Sequence, residues 1–183
     1  MGCGNGHFLA AYCAEHPEVA YLGVELQTRR CLKAAQKIER LGLRRAWVLQ
    51  AAAEQVVAAL PDASVDRYHI YFPDPWPKAR HRRRRFLRAE NLAGLRRTLR
   101  PGGELAFATD FLDYFLQAKL LCILEPGLEL RPDAPSQDIF VSVYGELFRR
   151  KGRAVHALVA RRRASGTSFS AAAGPGPTGP GTG

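Results

Sequence analysis

Asp74 is held between Pro73 and Pro75 and is followed by Trp76, Pro77 and Lys78. Ahead of it, Tyr68 to Phe72 is an apolar run of strand type that Pro73 must stop, because proline cannot donate to a sheet ladder. Behind it, Arg80, His81 and Arg82 to Arg85 form a dense cationic run. A carboxylate at a strand end, braced by prolines beside an indole, can stabilise developing positive charge on a bound ring. Trp76 offers either a wall or a stacking face for an unstacked base. The cations are too many to share a core and suit a phosphate backbone. His81 sits beside the acid but is not needed as a general base.

A second constellation lies at the N-terminus. Gly2, Gly4 and Gly6 alternate ahead of a stretch in which Phe8, Leu9, Tyr12 and Cys13 recur at helical spacing until Pro17. A glycine-rich turn opening a helix exposes backbone N–H groups to a ligand. The dinucleotide fingerprint calls for glycine at position 7, which is His7 here, so the loop suits a nucleoside without a pyrophosphate. Glu25 closes the next apolar run, Val19 to Leu26, and lies 21 residues after Gly4. That is the spacing at which a strand-end carboxylate meets ribose hydroxyls.

The elements that must position these groups alternate. Further strands are predicted at 46–50, 65–72 and 104–110, and helices at 28–41, within 51–60, at 86–99 and at 111–124. Thr28 is placed to cap the second helix and Gly42 to end it, while Pro101-Gly102-Gly103 reads as a turn. Residues 140–159 are predicted to supply a short segment and a last strand pair around Gly152. Strands alternating with helices predict an α/β, Rossmann-like, doubly wound and mostly parallel sheet. Glu25, Asp74 and Asp110 all end strands, so the topology gathers them on one rim.

The whole chain of 183 residues carries 27 Lys and Arg against 17 Asp and Glu, for a net charge of +10. That balance raises the odds of RNA, DNA or an anionic membrane as partner. Cys3, Cys13, Cys31 and Cys122 show no metal-binding spacing, so no metal is expected and the thiols read as reduced, in a cytoplasmic protein. No apolar run approaches the ~20 residues of a membrane span, and no secretory leader or acylation pattern is seen. One domain is expected over 1–163. The Gly-, Pro- and Ser-rich tail at 164–183 cannot bury a core and is expected to be disordered.

Taken in order, Gly2-Cys-Gly-Asn-Gly6, Gly23-Val-Glu25, Phe72-Pro-Asp-Pro-Trp-Pro-Lys-Ala-Arg-His81, Leu99-Arg-Pro-Gly-Gly-Glu104 and Ala108-Thr-Asp110 resemble the bacterial tRNA (guanine-N7)-methyltransferase family over about residues 1–160. The Pro-Asp-Pro-Trp-Pro-Lys block is specific to that family, whereas the glycine loop and Glu25 are shared by most Rossmann-like methyltransferases. The resemblance implies S-adenosylmethionine as cofactor and methylation of guanine N7 in the variable loop of tRNA. It implies Asp74 as the active-site acid. Gly2, Gly4, Gly6, Glu25, Ala52 and Ala53 would border the cofactor, and Lys78, Arg80, His81, Asp110, Ser142 and Tyr144 would meet the substrate. The chain departs from the family pattern in three places. Met1 stands where a strand ending in an acid would precede the glycine loop, so the central first strand is expected to be missing and the chain to be truncated. Ala52 replaces an acid that meets the adenine. Gly145 replaces the glutamate of the C-terminal motif, with Glu146 adjacent. These departures leave two other readings open: a catalytically impaired RNA-binding relative or fragment, and a small-molecule methyltransferase, which the Arg82 to Arg85 run disfavours. A monomer is the expected state.

Overall fold

The computed structural model describes residues 1–132 and 143–164. The tail read as disordered, from residue 165 on, Ser142 and the start of the C-terminal segment lie outside the described residues. Strands and helices alternate as β1 (Tyr21–Glu25), α2 (Thr28–Arg40), β2 (Ala46–Gln50), α3 (Ala53–Ala59) and β3 (Val65–Tyr71), with α1 (His7–Glu15) ahead of them. A 3-10 turn (Ala79–Arg84), α4 (Ala89–Thr98), β4 (Leu99–Thr109), α5 (Leu112–Leu124), β5 (Leu128–Leu130), α6 (Val143–Arg150) and β6 (His156–Arg162) follow.

The strands form two sheets, β1-β2 and β3-β4-β6-β5, parallel between β1 and β2 and between β3 and β4, with β6 antiparallel to both β4 and β5. The first residues stitch the sheets together. The Cys3 N–H donates to the Val24 carbonyl of β1 at 2.8 Å, and the Met1 amine donates to the His69 carbonyl of β3 at 2.8 Å. Residues 1–3 thus lie in the place expected for a central strand, but no strand forms there. The seam is closed on one side by rings instead. Phe8 and Tyr12 of α1 pack on His69 and Tyr71 of β3, with centroids 4.8 to 5.1 Å apart.

Two apolar clusters result. The larger one gathers Ile70, Leu92, Leu95, Leu105, Phe107 and Tyr114 around β3 and β4, and the smaller joins Leu9, Cys13, Ile38 and Ala46 beside β1 and β2. The chain runs from β1 out to β2 through α2, then back to β3 through α3. Right-handed crossovers therefore put α2 on one face and α3 on the other. α1 packs with α2, α3 with α4, and α4 with α5, which fits that division.

Four local expectations are corrected. Thr28 is the first helical residue rather than the cap, and its hydroxyl accepts from Gln50 Nε2 at 2.7 Å. Helix α4 begins at Ala89, not Phe86, because the Leu87 N–H donates to the Tyr114 hydroxyl at 2.9 Å. Strand β4 starts at Leu99 and runs through Pro101 to Gly103, with the irregularity absorbed where the register shifts between Val65 and Arg67. No strand pair forms around Gly152. That glycine, at φ 62°, turns the chain from α6 into β6, and β6 pairs with β4 and with β5, a strand of three residues too short to show a period.

Candidate active site

The carboxyl ends of β1, β3 and β4 do bring Glu25, Asp74 and Asp110 to one rim, but the three acids are held differently. Glu25 is the last residue of β1 and is 6% exposed. Its carboxylate accepts from the Gly4 N–H and the Gln27 N–H, both at 2.9 Å. Each oxygen keeps a lone pair for a further donor, so the group can hold the glycine loop and still take ribose hydroxyls. Gly2, Gly4 and Gly6 all adopt left-handed φ, and a Cβ on Gly2 or Gly4 would meet nothing within 4 Å. Their faces are open to a ligand. Gly6 serves a different purpose, since a Cβ there would fall 2.7 Å from the Ala34 Cβ. It lets α1 lie against α2 and so fixes where the loop stands.

Asp74 is exposed and forms no hydrogen bond or ion pair among the described residues. The loop that carries it is not free. Phe72 and Trp76 on either side have φ of 52° and 42°, a left-handed backbone that bulky side chains rarely adopt and that costs about 1–3 kcal/mol each. Such strain persists only where surrounding contacts fix it. Here the Phe72 N–H donates to the Ala108 carbonyl at 2.8 Å, and Phe72 meets the Phe148 ring of α6 edge-on at 5.2 Å.

The main restraint is Arg85, which is 1% exposed. Its Nε donates to the Pro75 carbonyl at 2.8 Å. Its Nη1 donates to Gln117 at 2.6 Å, and its Nη2 to Asp113 at 2.6 Å. The guanidinium lies 4.8 Å from the Tyr114 ring centre. This corrects the reading of Arg82 to Arg85 as one phosphate strip, because Arg85 anchors the acid-bearing loop to α5 from beneath. Its hydrogen bond, followed by the nearby guanidinium charges, holds the Asp113 carboxyl below its usual pKa. Arg82 also pairs with Asp113, at 2.8 Å. The strip that remains is Lys78, Arg80, Arg83 and Arg84, all exposed. The Arg84 guanidinium covers Trp76 at 4.8 Å, and His81 meets the same indole edge-on at 5.8 Å.

Asp110 follows β4 and is bound by Arg153 at 3.0 Å, whose guanidinium also lies over Phe148 at 5.3 Å. The turn after α6 is thereby drawn to the rim, a link that nothing near Arg153 in sequence announces. Tyr144 lies in α6 and Gly145 is buried there, but the Tyr144 side chain is outside the described residues. Ala52 precedes α3 and Ala53 opens it, both half-buried beyond the end of β2. With no carboxylate at Ala52, they offer a wall and no acceptor side chain. A cleft of about 460 Å³ lined by Asp62, Arg96, Arg97 and Arg162 stands at the opposite end of the sheet. Its arginines are occupied: Arg97 donates to the Val57 and Leu60 carbonyls, and Arg162 to that of Arg97.

This architecture, with strand-end acids and a glycine loop at the carboxyl rim, is that of the class I methyltransferases. The chain is similar to precorrin-6y C5,15-methyltransferase from Geobacter metallireducens, at 13% identity and a TM-score of 0.58 over 90% of this chain and 77% of that one. It is also similar to TrmN from Thermus thermophilus, at 20% identity and a TM-score of 0.61 over 87% of this chain and 41% of that one. These likenesses concern the fold alone. Residues 1–158 match the family described as "Putative methyltransferase". Among curated relatives, the tRNA (guanine-N(7)-)-methyltransferase of Geobacter metallireducens is 33% identical over 92% of this chain and 82% of its own length. The protein of the same name from Paracoccus denitrificans is 35% identical over 89% of this chain and 70% of its own. The chain belongs to the tRNA (guanine-N7)-methyltransferase family.

Proposed function

We propose that this chain methylates guanine N7 in the variable loop of tRNA with S-adenosylmethionine as donor, through a methyltransferase domain spanning 1–163. The observation that carries the reading is Asp74: an exposed carboxylate without an ion-pair partner among the described residues, on a strained loop that Arg85 clamps from below. The residues present fit the cofactor. Glu25 has acceptor capacity for ribose hydroxyls, Gly2 and Gly4 leave open space along the loop, and Ala52 and Ala53 border the adenine position. When bound, S-adenosylmethionine supplies an already activated methyl group, whose transfer to a lone pair needs no base.

The chain's own residues then have three tasks. The rim holds N7 in line for attack, and orientation of this kind supplies several kcal/mol. Asp74 stabilises the positive charge that the guanine ring gains. Trp76, Lys78, Arg80 and His81 hold the unstacked base and its flanking phosphates, while Asp110, fixed by Arg153, borders the substrate with Ser142 and Tyr144. No helix among the described residues is long and apolar enough to cross a membrane, and no cluster there could hold a metal ion. The reading is of a monomer that acts on tRNA in the cytoplasm. It is tested by incubating the purified chain with methyl-labelled cofactor and tRNA transcripts with and without guanine in the variable loop. Label in 7-methylguanosine of the first transcript alone is expected. Labelling of small metabolites instead of tRNA, or no cofactor binding at millimolar concentration, would overturn it.

A further inference from the structure

The charge excess is not spread evenly. Arginines at the far end of the sheet pair with acids: Arg67 with Glu104, Arg96 with Glu125, Arg100 with Asp66 and Arg163 with Glu129. Among the described residues, two groups of four or more cations are left largely uncompensated. One is the strip after Asp74. The other is α2, where Arg29, Arg30, Lys33, Lys37 and Arg40 form no ion pair among the described residues and Glu39 is the single acid from Thr28 to Arg45.

These five cations are not scattered around the helix. At 3.6 residues per turn they fall within about 100° of arc, on one flank of the solvent face. Lys37 identifies that flank, since it is close enough to His7 at the start of α1 for its charge to help lower the His7 pKa. The arrangement works against the helix. Arg29–Lys33, Lys33–Lys37, Arg30–Lys33 and Lys37–Arg40 are like-charge pairs at i,i+4 and i,i+3, each costing about 0.2–0.5 kcal/mol. Arg29 and Arg30 stand in the first turn, where the macrodipole favours acids and none is present. A solvated helix surface ordinarily intersperses both signs. A polyanion along this flank would remove the repulsion.

Position indicates which polyanion. Helix α2 starts three residues after Glu25, on the same rim as Asp74. Strands β1 and β3 lie either side of residues 1–3, so the strand that leads into α2 and the strand that leads toward the Lys78–Arg84 strip are two strand spacings apart, about 10 Å. We infer that α2 is a second phosphate-binding surface, which takes the tRNA backbone on the side of the rim away from the Lys78–Arg84 strip, so that the RNA straddles Asp74. This rests on the proposed function and adds a gripping surface to it.

The test is tRNA affinity of the full chain against salt, for wild type and for a variant with Arg30→Gln, Lys33→Gln, Lys37→Gln and Arg40→Gln. Glutamine keeps helix propensity and removes the like-charge pairs, so a melting temperature at or above that of wild type verifies the fold. The slope of log affinity against log salt is expected to fall by roughly three, at about 0.7–0.9 for each phosphate that is no longer neutralised. The KM for tRNA should rise at least tenfold. An Arg100→Gln, Arg163→Gln variant, which lowers net charge away from the rim, should shift the slope by less than one. A wild-type chain whose slope matches the α2 variant overturns the surface while leaving the methyltransferase reading intact. So does α2-dependent binding to phosphatidylglycerol vesicles with an unmoved tRNA slope. A wild-type chain that neither binds nor methylates tRNA overturns both.

Discussion

Asp74 and Arg85 are eleven residues apart in sequence and opposite in exposure. Asp74→Asn removes a carboxylate that makes no hydrogen bond or ion pair with another described residue, so unfolding free energy should be unchanged within about 0.5 kcal/mol. Methyl transfer at saturating tRNA should fall at least a hundredfold, the usual scale for one preorganised electrostatic group. Rapid-quench turnover with a parallel denaturation curve checks both. Arg85→Met is expected to do the reverse in part. It leaves the Pro75 carbonyl and the Gln117 amide oxygen without their donor, while Asp113 keeps Arg82, and should cost about 2–3 kcal/mol. Its kcat should drop because the strained turns at Phe72 and Trp76 lose their restraint. Arg85→Lys should recover some stability but little kcat, since one ammonium cannot reach Pro75, Asp113 and Gln117 in a planar fork. Equal recovery of both would remove the case for the fork.

At the scale of the elements, the glycine loop and its helix are the informative pair. Gly6→Ala puts a Cβ 2.7 Å from that of Ala34 at a φ of 72°, so strain and overpacking add, and about 2–3 kcal/mol of stability should be lost. Gly4→Ala meets no atom and should cost only the backbone term, about 1 kcal/mol, while weakening cofactor affinity. Chemical denaturation of the two variants separates these roles, and equal losses would refute the separation. The alternating strands and helices were legible because apolar period and stop residues are local. β5 and the path through Pro101 to Gly103 were not, because three residues carry no period and a register shift exists only against a partner strand.

Over the whole molecule, the seam between β1 and β3 is where pH should act. Burial, helped by Arg67, the Met1 amine and His16, pushes the His69 pKa down from the usual 6.5 to about 3. Above pH 6.5 the ring is neutral folded or unfolded and contributes nothing. As pH falls from 6.5 toward 3, the unfolded chain takes a proton that the folded one refuses, so stability falls by up to about 1.4 kcal/mol per pH unit and levels off below 3. In His69→Phe that component of the slope should vanish from pH-dependent unfolding curves. A slope identical to wild type would mean that the ring is solvated.

The sequence by itself determined the alternating α/β order, the glycine loop, and the gathering of Glu25, Asp74 and Asp110 on one rim. Each follows from short-range chemistry: apolar period, chain-stopping proline, and strand direction shared by a parallel sheet. The cations of α2 were equally present there, and their common flank emerges once the helix turn is applied. Only the tertiary structure decided which charges are free. Arg85 is indistinguishable from Arg83 in the run of arginines until Asp113, Tyr114 and Gln117, some thirty residues on, close around it. Asp110 becomes a tethered acid through Arg153, while Asp74 stays free because no cation among the described residues pairs with it. Burial and pairing depend on partners distant in sequence, and those partners separate the arginine that holds the loop from the cations left to hold a nucleic acid.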